Sequence, residues 1–250
     1  RDDGFHEIRT GITFINIYDQ IIIKKSQELK IKYKGSFKPL KDTYEDCIIL
    51  KTLKFLNINN KLNIEIIKNI PVQGGLGSAS TNAAALLKGL GMLKIIKIKE
   101  PAFYLPLGAD VPAFMFQKNC LATGIGEKIH FKEFPKYYFL LIKPKFSNST
   151  KDMYKSLGYK IASYNEESVI QENQITDEDN GNDFEKKIFK ENNQFKLMFD
   201  FLEKLENVIF ARITGSGSCF YAAFNKKIYA IEAKKVFENK YPNLWIHICE

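Results

Sequence analysis

The chain has 250 residues, 45% of them apolar and 26% charged, which suits a globular protein with a sizeable core and excludes a disordered tail, a collagen-like fibre or a disulfide scaffold. Its net charge of +8 is carried by lysines scattered along the whole chain, without an arginine-rich block, so the expected partner is a polyphosphate-bearing small molecule rather than nucleic acid. No apolar run approaches the roughly 18 residues of a membrane span. The four cysteines, at 47, 120, 219 and 249, form no CxxC pair, which argues against zinc and suits a reducing compartment.

The sequence begins at Arg1 rather than at methionine, and an upstream piece is expected. β-Branched and aromatic residues over Ile8–Lys24 predict one or two strands. Helical spacing of Ile48, Ile49, Leu53 and Leu56 predicts a helix over Glu45–Leu56, and alternation predicts a strand over Leu62–Ile70, stopped by Pro71. Eight of the fifteen glycines fall between Gly74 and Gly126, about a fifth of the chain, so special backbone geometry is concentrated there. Within that stretch Ala79–Leu90 is a run of helix formers that Gly89 or Gly91 is expected to end. Gly108–Phe116 reads as a corner and Cys120–His130 as a glycine turn. Further on come a buried strand over Tyr137–Pro144, an acid-rich solvated segment over Asn165–Asp183, and one amphipathic helix over Phe184–Leu205. Strands over Val208–Ile213 and Cys219–Phe224 flank the turn Thr214–Ser218, and a helix over Ala230–Tyr241 and a strand over Leu244–Cys249 close the chain. Strands and helices without regular alternation predict an α+β fold, divided near Lys132–Tyr137.

The chemistry concentrates in the glycine clusters. Ile70-Pro71-Val72-Gln73-Gly74-Gly75-Leu76-Gly77-Ser78-Ala79-Ser80-Thr81 is a strand, a small-residue loop and a helix start, an arrangement that points backbone N–H groups at an anion with the positive end of the helix dipole behind them. Ser80 and Thr81 add hydroxyls for a phosphate oxygen or Mg²⁺. No lysine follows the glycines, so this is neither the GxxxxGK[ST] loop nor GxGxxG; the alternative is a tight turn before an alanine-faced packing helix. Asp110, flanked by Gly-Ala and Val-Pro, suits a general base for a hydroxyl nucleophile, or alternatively a helix cap or Asx turn. Thr214-Gly215-Ser216-Gly217-Ser218 is a second glycine loop, which a hairpin turn alone explains.

Taken in order, these segments resemble the three signature motifs of the GHMP kinase superfamily. Arg1-Asp2-Asp3-Gly4-Phe5-His6-Glu7, Leu107-Gly108-Ala109-Asp110-Val111-Pro112, Thr123-Gly124-Ile125-Gly126-Glu127 and Asn182-Asp183-Phe184-Glu185 are similar to the branch that acts on a cytidyl-methylerythritol. The resemblance runs from Arg1 to about Phe224. It implies a two-domain α+β kinase, with a ribosomal-protein-like ATP-binding half over 1–133 and a ferredoxin-like half over 134–250. It further implies transfer of the γ-phosphoryl of ATP, with Mg²⁺, to the 2-hydroxyl of the methylerythritol moiety in non-mevalonate isoprenoid synthesis.

By the same resemblance Pro71, Val72, Gln73, Gly74, Gly75, Leu76, Gly77, Ser78, Ala79, Ser80 and Thr81 would wrap ATP. Asp110 would be the catalytic aspartate and touch the substrate. Phe5 and His6 would hold the cytosine, with Thr150, Tyr154 and Thr214 also on the substrate side. The family's catalytic lysine would lie upstream of Arg1. Gln73, Ser78 and Ala79 stand where the family has glycine, and Cys47 where it has an adenine-pocket asparagine. Other GHMP small-molecule kinases, of homoserine or mevalonate type, and a non-catalytic nucleotide-binding protein of the same fold are the alternatives. A bacterial protein of this kind would be cytoplasmic and a eukaryotic one plastid-type.

Overall fold

A computed structural model describes residues 6–39, 47–58, 61–147, 153–154 and 181–250. They form two compact units. One takes the described residues up to Val72 together with Gly77–Pro135; the other takes Gln73–Leu76 together with Lys136–Glu250.

In the first unit, β1 (Ile8–Ile12), β2 (Gln20–Lys25), β3 (Lys30–Lys34), α1 (Ile48–Phe55), β4 (Leu62–Ile67), α2 (Ser78–Met92), a 3-10 segment (Pro101–Leu107), α3 (Val111–Phe116), β5 (Cys120–Gly124) and β6 (Lys128–Phe131) follow in order. β4 is the middle strand of β2-β4-β3, antiparallel to β2 and parallel to β3. A parallel neighbour needs a crossover, and α1 provides it. β5 is the middle of the antiparallel sheet β1-β5-β6.

The central element is α2. Leu86 and Leu90 pack with Ile49, Leu53, Ile64 and Ile66 on one flank. On the other, Ala83, Ala84 and Leu87 lie against Tyr104, Val111 and Phe114. Burying two faces of one helix anchors its N-terminus, the end that matters for an anion.

α2 does not stop at Gly89 or Gly91, as helix propensity suggests; it runs to Met92. Both glycines are packing sites. A Cβ on Gly89 would lie 2.6 Å from Ile23 Cδ1, and one on Gly91 2.8 Å from Ile98 Cγ1. β3 is an additional strand, whose Lys-Ile-Lys-Tyr-Lys alternation puts lysines along a sheet edge.

The second unit runs β7 (Tyr138–Lys143), α4 (Glu185–Glu191), α5 (Asn193–Glu203), β8 (Phe210–Ile213), β9 (Phe220–Phe224), α6 (Lys227–Lys240) and β10 (Trp245–Cys249). The strands pair antiparallel in the order β10-β7-β9-β8. That order is two interleaved split β-α-β units, the ferredoxin-like arrangement the resemblance implies. Its core is aromatic: Phe195, Phe220, Phe224 and Phe237 are all inaccessible to solvent.

The single helix expected over Phe184–Leu205 is two helices. Asn192 leaves the helical region (φ −137°, ψ 89°), and its side chain accepts from Phe195 N at 2.9 Å, capping α5. Asn192→Ala is expected to cost about 1 kcal/mol of stability, read as a lower denaturation midpoint with an unchanged denaturant slope.

Candidate functional site

The approach to the Gly74–Gly77 glycine loop is tied down by a buried carboxylate. Asp19, just before β2, accepts from Asn69 N at 2.7 Å and Ile70 N at 2.9 Å through Oδ1. Its Oδ2 accepts from Asn82 Nδ2 of α2 at 3.0 Å and pairs with Lys68 Nζ. Lys68 and Asp19 side chains are 6% and 1% exposed. A charge so deeply buried persists only when paired and fully hydrogen-bonded. One side chain therefore joins the residues entering Pro71 to the first turns of α2. Nothing in the motif pattern singled Asp19 out; the available signal was a lone acid between two β-branched runs.

Gln73–Leu76 belongs to the second unit, where it lies on the Thr214–Cys219 loop. Thr214 Oγ1 is 2.8 Å from Gly74 O, Cys219 N donates to Gly74 O at 3.0 Å, and Ser218 N to Gln73 O at 3.4 Å. Gly75 has φ +72°, and a Cβ there would fall 2.1 Å from Thr214 O and 2.9 Å from Thr214 Oγ1. Only glycine fits both the backbone angle and the gap. The Thr214 hydroxyl, expected on the substrate side, thus holds the backbone of Gly74. Cys219 is inert here, because burial pushes its thiol up to about 12, with Lys143 acting against that rise.

Gly75→Ala is expected to raise KM for ATP by about tenfold or more, since a left-handed alanine alone costs roughly 1–2 kcal/mol before any overlap with Thr214. Nucleotide titration of the folded variant checks it. Of the three residues that stand where the resembling family has glycine, Gln73 alone takes a positive φ, at 53°. Ser78 and Ala79 are right-handed residues of the first turn of α2.

At that first turn the N–H groups of Gly77, Ser78, Ala79 and Ser80 have no acceptor among the described residues, whereas Thr81 N donates to Gly77 O at 2.9 Å. This row of free donors is what an anion requires. The Thr81 hydroxyl turns back onto Ser78 O and Gly77 O at 3.1 and 3.2 Å. Ser80 Oγ faces the Asp110 turn: a Cβ on Gly108 would lie 3.4 Å from it. The same unit therefore brings the Ser80 hydroxyl beside the Gly108–Asp110 turn.

Asp110 stands at the cap position of α3, yet its side chain makes no capping bond, and its carboxylate has no hydrogen-bond or ion-pair partner among the described residues. Burial raises its pKa above the ordinary carboxylate value. A carboxylate that neither caps nor pairs, and is made more basic by its surroundings, is available to take a proton. The turn is braced from behind by Gly126 (φ +112°), where a Cβ would come 2.7 Å from Ala109 O. Glu127 closes that hairpin by accepting from Ile125 N at 2.7 Å.

Phe5 and Thr150 lie outside the described residues. His6 is half-buried, two residues before β1. Tyr154 packs edge-on against Phe184 at 5.1 Å, on the margin of the second unit's core. Cys47, at the asparagine position, caps α1 instead, its Sγ accepting from Leu50 N at 3.4 Å. No cluster of three or more His, Cys, Asp or Glu that could hold a metal occurs among the described residues. No described helix is long and apolar enough to cross a membrane.

Known proteins resemble the chain over most of its length. Residues 46–118 match the GHMP kinases N terminal domain family. A 4-diphosphocytidyl-2-C-methyl-D-erythritol kinase from Francisella philomiragia is 31% identical over 236 residues, covering 88% of this chain and 80% of the relative. One from Haemophilus ducreyi is 30% identical, covering 98% and 86%. Among solved structures, a 4-(cytidine 5'-diphospho)-2C-methyl-D-erythritol kinase superimposes with a TM-score of 0.75 at 20% identity, over 100% of this chain and 92% of that one. The mevalonate kinase of L. major gives 0.64 at 13% identity, over 98% and 90%, a likeness of fold. Identity sustained over nearly the whole length is shared ancestry, and the chain belongs to the 4-diphosphocytidyl-2-C-methyl-D-erythritol kinases of the GHMP kinase superfamily.

Proposed function

We propose that the protein transfers the γ-phosphoryl group of ATP to the 2-hydroxyl of 4-diphosphocytidyl-2-C-methyl-D-erythritol, a step in the non-mevalonate supply of isoprenoid precursors. The observation that carries this reading is Asp110, without a partner among the described residues, on a turn that adjoins Ser80 in the first turn of α2. Asp110 orients the substrate hydroxyl and takes its proton. The N–H groups of Gly77, Ser78, Ala79 and Ser80 hold phosphate oxygens and offset charge that builds up during transfer. Phosphoryl transfer asks for little more than positioning and charge stabilisation, which these groups supply.

Mg²⁺ suits the donor set. Ser80 and Thr81 hydroxyls and the Asp110 carboxylate are hard oxygen donors, and this ion is held by one or two protein oxygens together with phosphates. When bound, it neutralises phosphate charge. The cytosine end is assigned to Phe5 and His6, since an aromatic face with a polar neighbour suits a pyrimidine. Phe5→Ala is expected to weaken the cytidyl substrate by about 1–3 kcal/mol, the range for a base stacked on an aromatic, with KM for ATP unchanged. Equal losses for both ligands would remove Phe5 from the pocket.

The test is ADP release with ATP, Mg²⁺ and the cytidyl substrate, with homoserine and mevalonate in parallel. Turnover confined to the cytidyl substrate is the expected result. Turnover with homoserine or mevalonate instead would move the protein to another GHMP activity, and nucleotide binding without any turnover would make it a non-catalytic relative.

A further inference from the structure

The segment Asn182-Asp183-Phe184-Glu185 has no role in the chemistry above, yet the Asn182 and Glu185 side chains converge on one short stretch of backbone. Asn182 Nδ2 donates to Ile213 O and to Gly215 O, both at 2.8 Å. Its Oδ1 accepts from Phe184 N at 3.0 Å, so three of the amide's four hydrogen-bonding positions are filled. From the next turn, Glu185 Oε1 accepts from Ile213 N at 2.9 Å. Ile213 is thus gripped at both its N–H and its carbonyl, and Gly215 at its carbonyl. The buried Phe184 ring anchors the segment in the core.

Between those grips lies Thr214, whose hydroxyl sits on Gly74 O and whose carbonyl leaves room for nothing larger than Gly75. We propose that Asn182 and Glu185 are positioning residues for the phosphate loop: by fixing Ile213–Gly215 they fix Gly74 and the direction of the Gly75 N–H. The inference rests on the reading of the Gly75 N–H as a donor to the ATP phosphates. All of its bonds lie within the second unit.

The two side chains differ in what they must be. Asn182 works as a double donor, and an aspartate of the same shape would set a carboxylate against two carbonyl oxygens. Glu185 needs only an acceptor oxygen. Burial raises its pKa, while the Ile213 N–H and the Arg212 guanidinium hold it down and Glu203 adds to the rise. A glutamine retains the acceptor without the charge.

The experiment compares full-length wild type, Asn182→Asp, Glu185→Ala and Glu185→Gln by calorimetric titration with ADP, by separate KM values for ATP and the cytidyl substrate, and by Tm. The expected result is nucleotide affinity about tenfold weaker in Asn182→Asp and Glu185→Ala, the size of leaving backbone groups unmatched. KM for the cytidyl substrate stays as in wild type, and Glu185→Gln recovers the nucleotide affinity. If Asn182→Asp does not fold, Asn182→Ser and the Glu185 pair carry the same comparison. Lower Tm with unchanged ADP affinity would make the segment a structural brace and overturn the inference, as would equal losses for both ligands. Wild type that binds no nucleotide would overturn the phosphate-loop reading itself, a result distinct from variants that bind as wild type does.

Discussion

Asp110→Asn is expected to lower kcat by about 10²–10⁴-fold, the usual contribution of a positioned general base, while ATP affinity stays near wild type. The shape of the side chain is kept and only the capacity to take a proton is lost. Single-turnover kinetics beside nucleotide titration separate the two quantities, and turnover at the wild-type rate would remove Asp110 from the chemistry. The raised pKa adds a pH signature. As pH falls through that raised value the carboxylate is protonated, so the acid limb of kcat/KM lies above the ordinary aspartate range and vanishes in the variant. Stability moves the other way. A carboxyl whose folded pKa is raised favours the folded state below its unfolded pKa, and loses that benefit as pH rises through the folded value. At neutral pH the asparagine variant should therefore be no less stable, and its relative advantage should fade in acid. Activity given up together with stability retained is what distinguishes a catalytic carboxylate from a cap.

Asp19→Asn is expected to cost about 3–5 kcal/mol, the penalty for stranding one charge of a buried pair, here the Lys68 ammonium. For a chain of this size that corresponds to a Tm lower by roughly 10 °C. The change should also loosen the entry to the glycine loop that follows Pro71, because the carboxylate that gathers Asn69 N, Ile70 N and Asn82 Nδ2 becomes a weaker acceptor with one oxygen replaced. Replacing both ions, as in Asp19→Asn with Lys68→Met, should recover part of the loss, since the stranded charge is gone. Thermal denaturation of the two single variants and the double variant reads this out. An Asp19→Asn protein as stable as wild type would show that Lys68 finds water instead.

What could be read from residue order was local. The helix behind the glycine loop, the aromatic helix region before β8 and the β8–loop–β9 arrangement all follow from periodicity and turn chemistry within a dozen residues. What could not be read depends on partners far along the chain. Asp19 acquires its role from Lys68 and Asn82, 49 and 63 residues away. The Thr214 hydroxyl serves Gly74, 140 residues away. Gly89 and Gly91 look like helix stops until Ile23 and Ile98 are seen against them. The break at Asn192 was in principle visible, because asparagine is a strong helix cap, but the apolar spacing around it stays in phase and hides the interruption.

Gln73–Leu76 is part of the compact unit that otherwise begins at Lys136, so the polypeptide passes from one unit to the other and back within six residues. Recombination at one point between the halves would bring a foreign Thr214–Cys219 loop against this chain's Gly74 and Gly75. A hybrid of that kind could be rescued by transplanting residues 73–76 along with the distant half. In lineages descended from a common ancestor, changes at 73–76 should accordingly keep pace with changes at 214–219, and an insertion in either would have to be answered in the other.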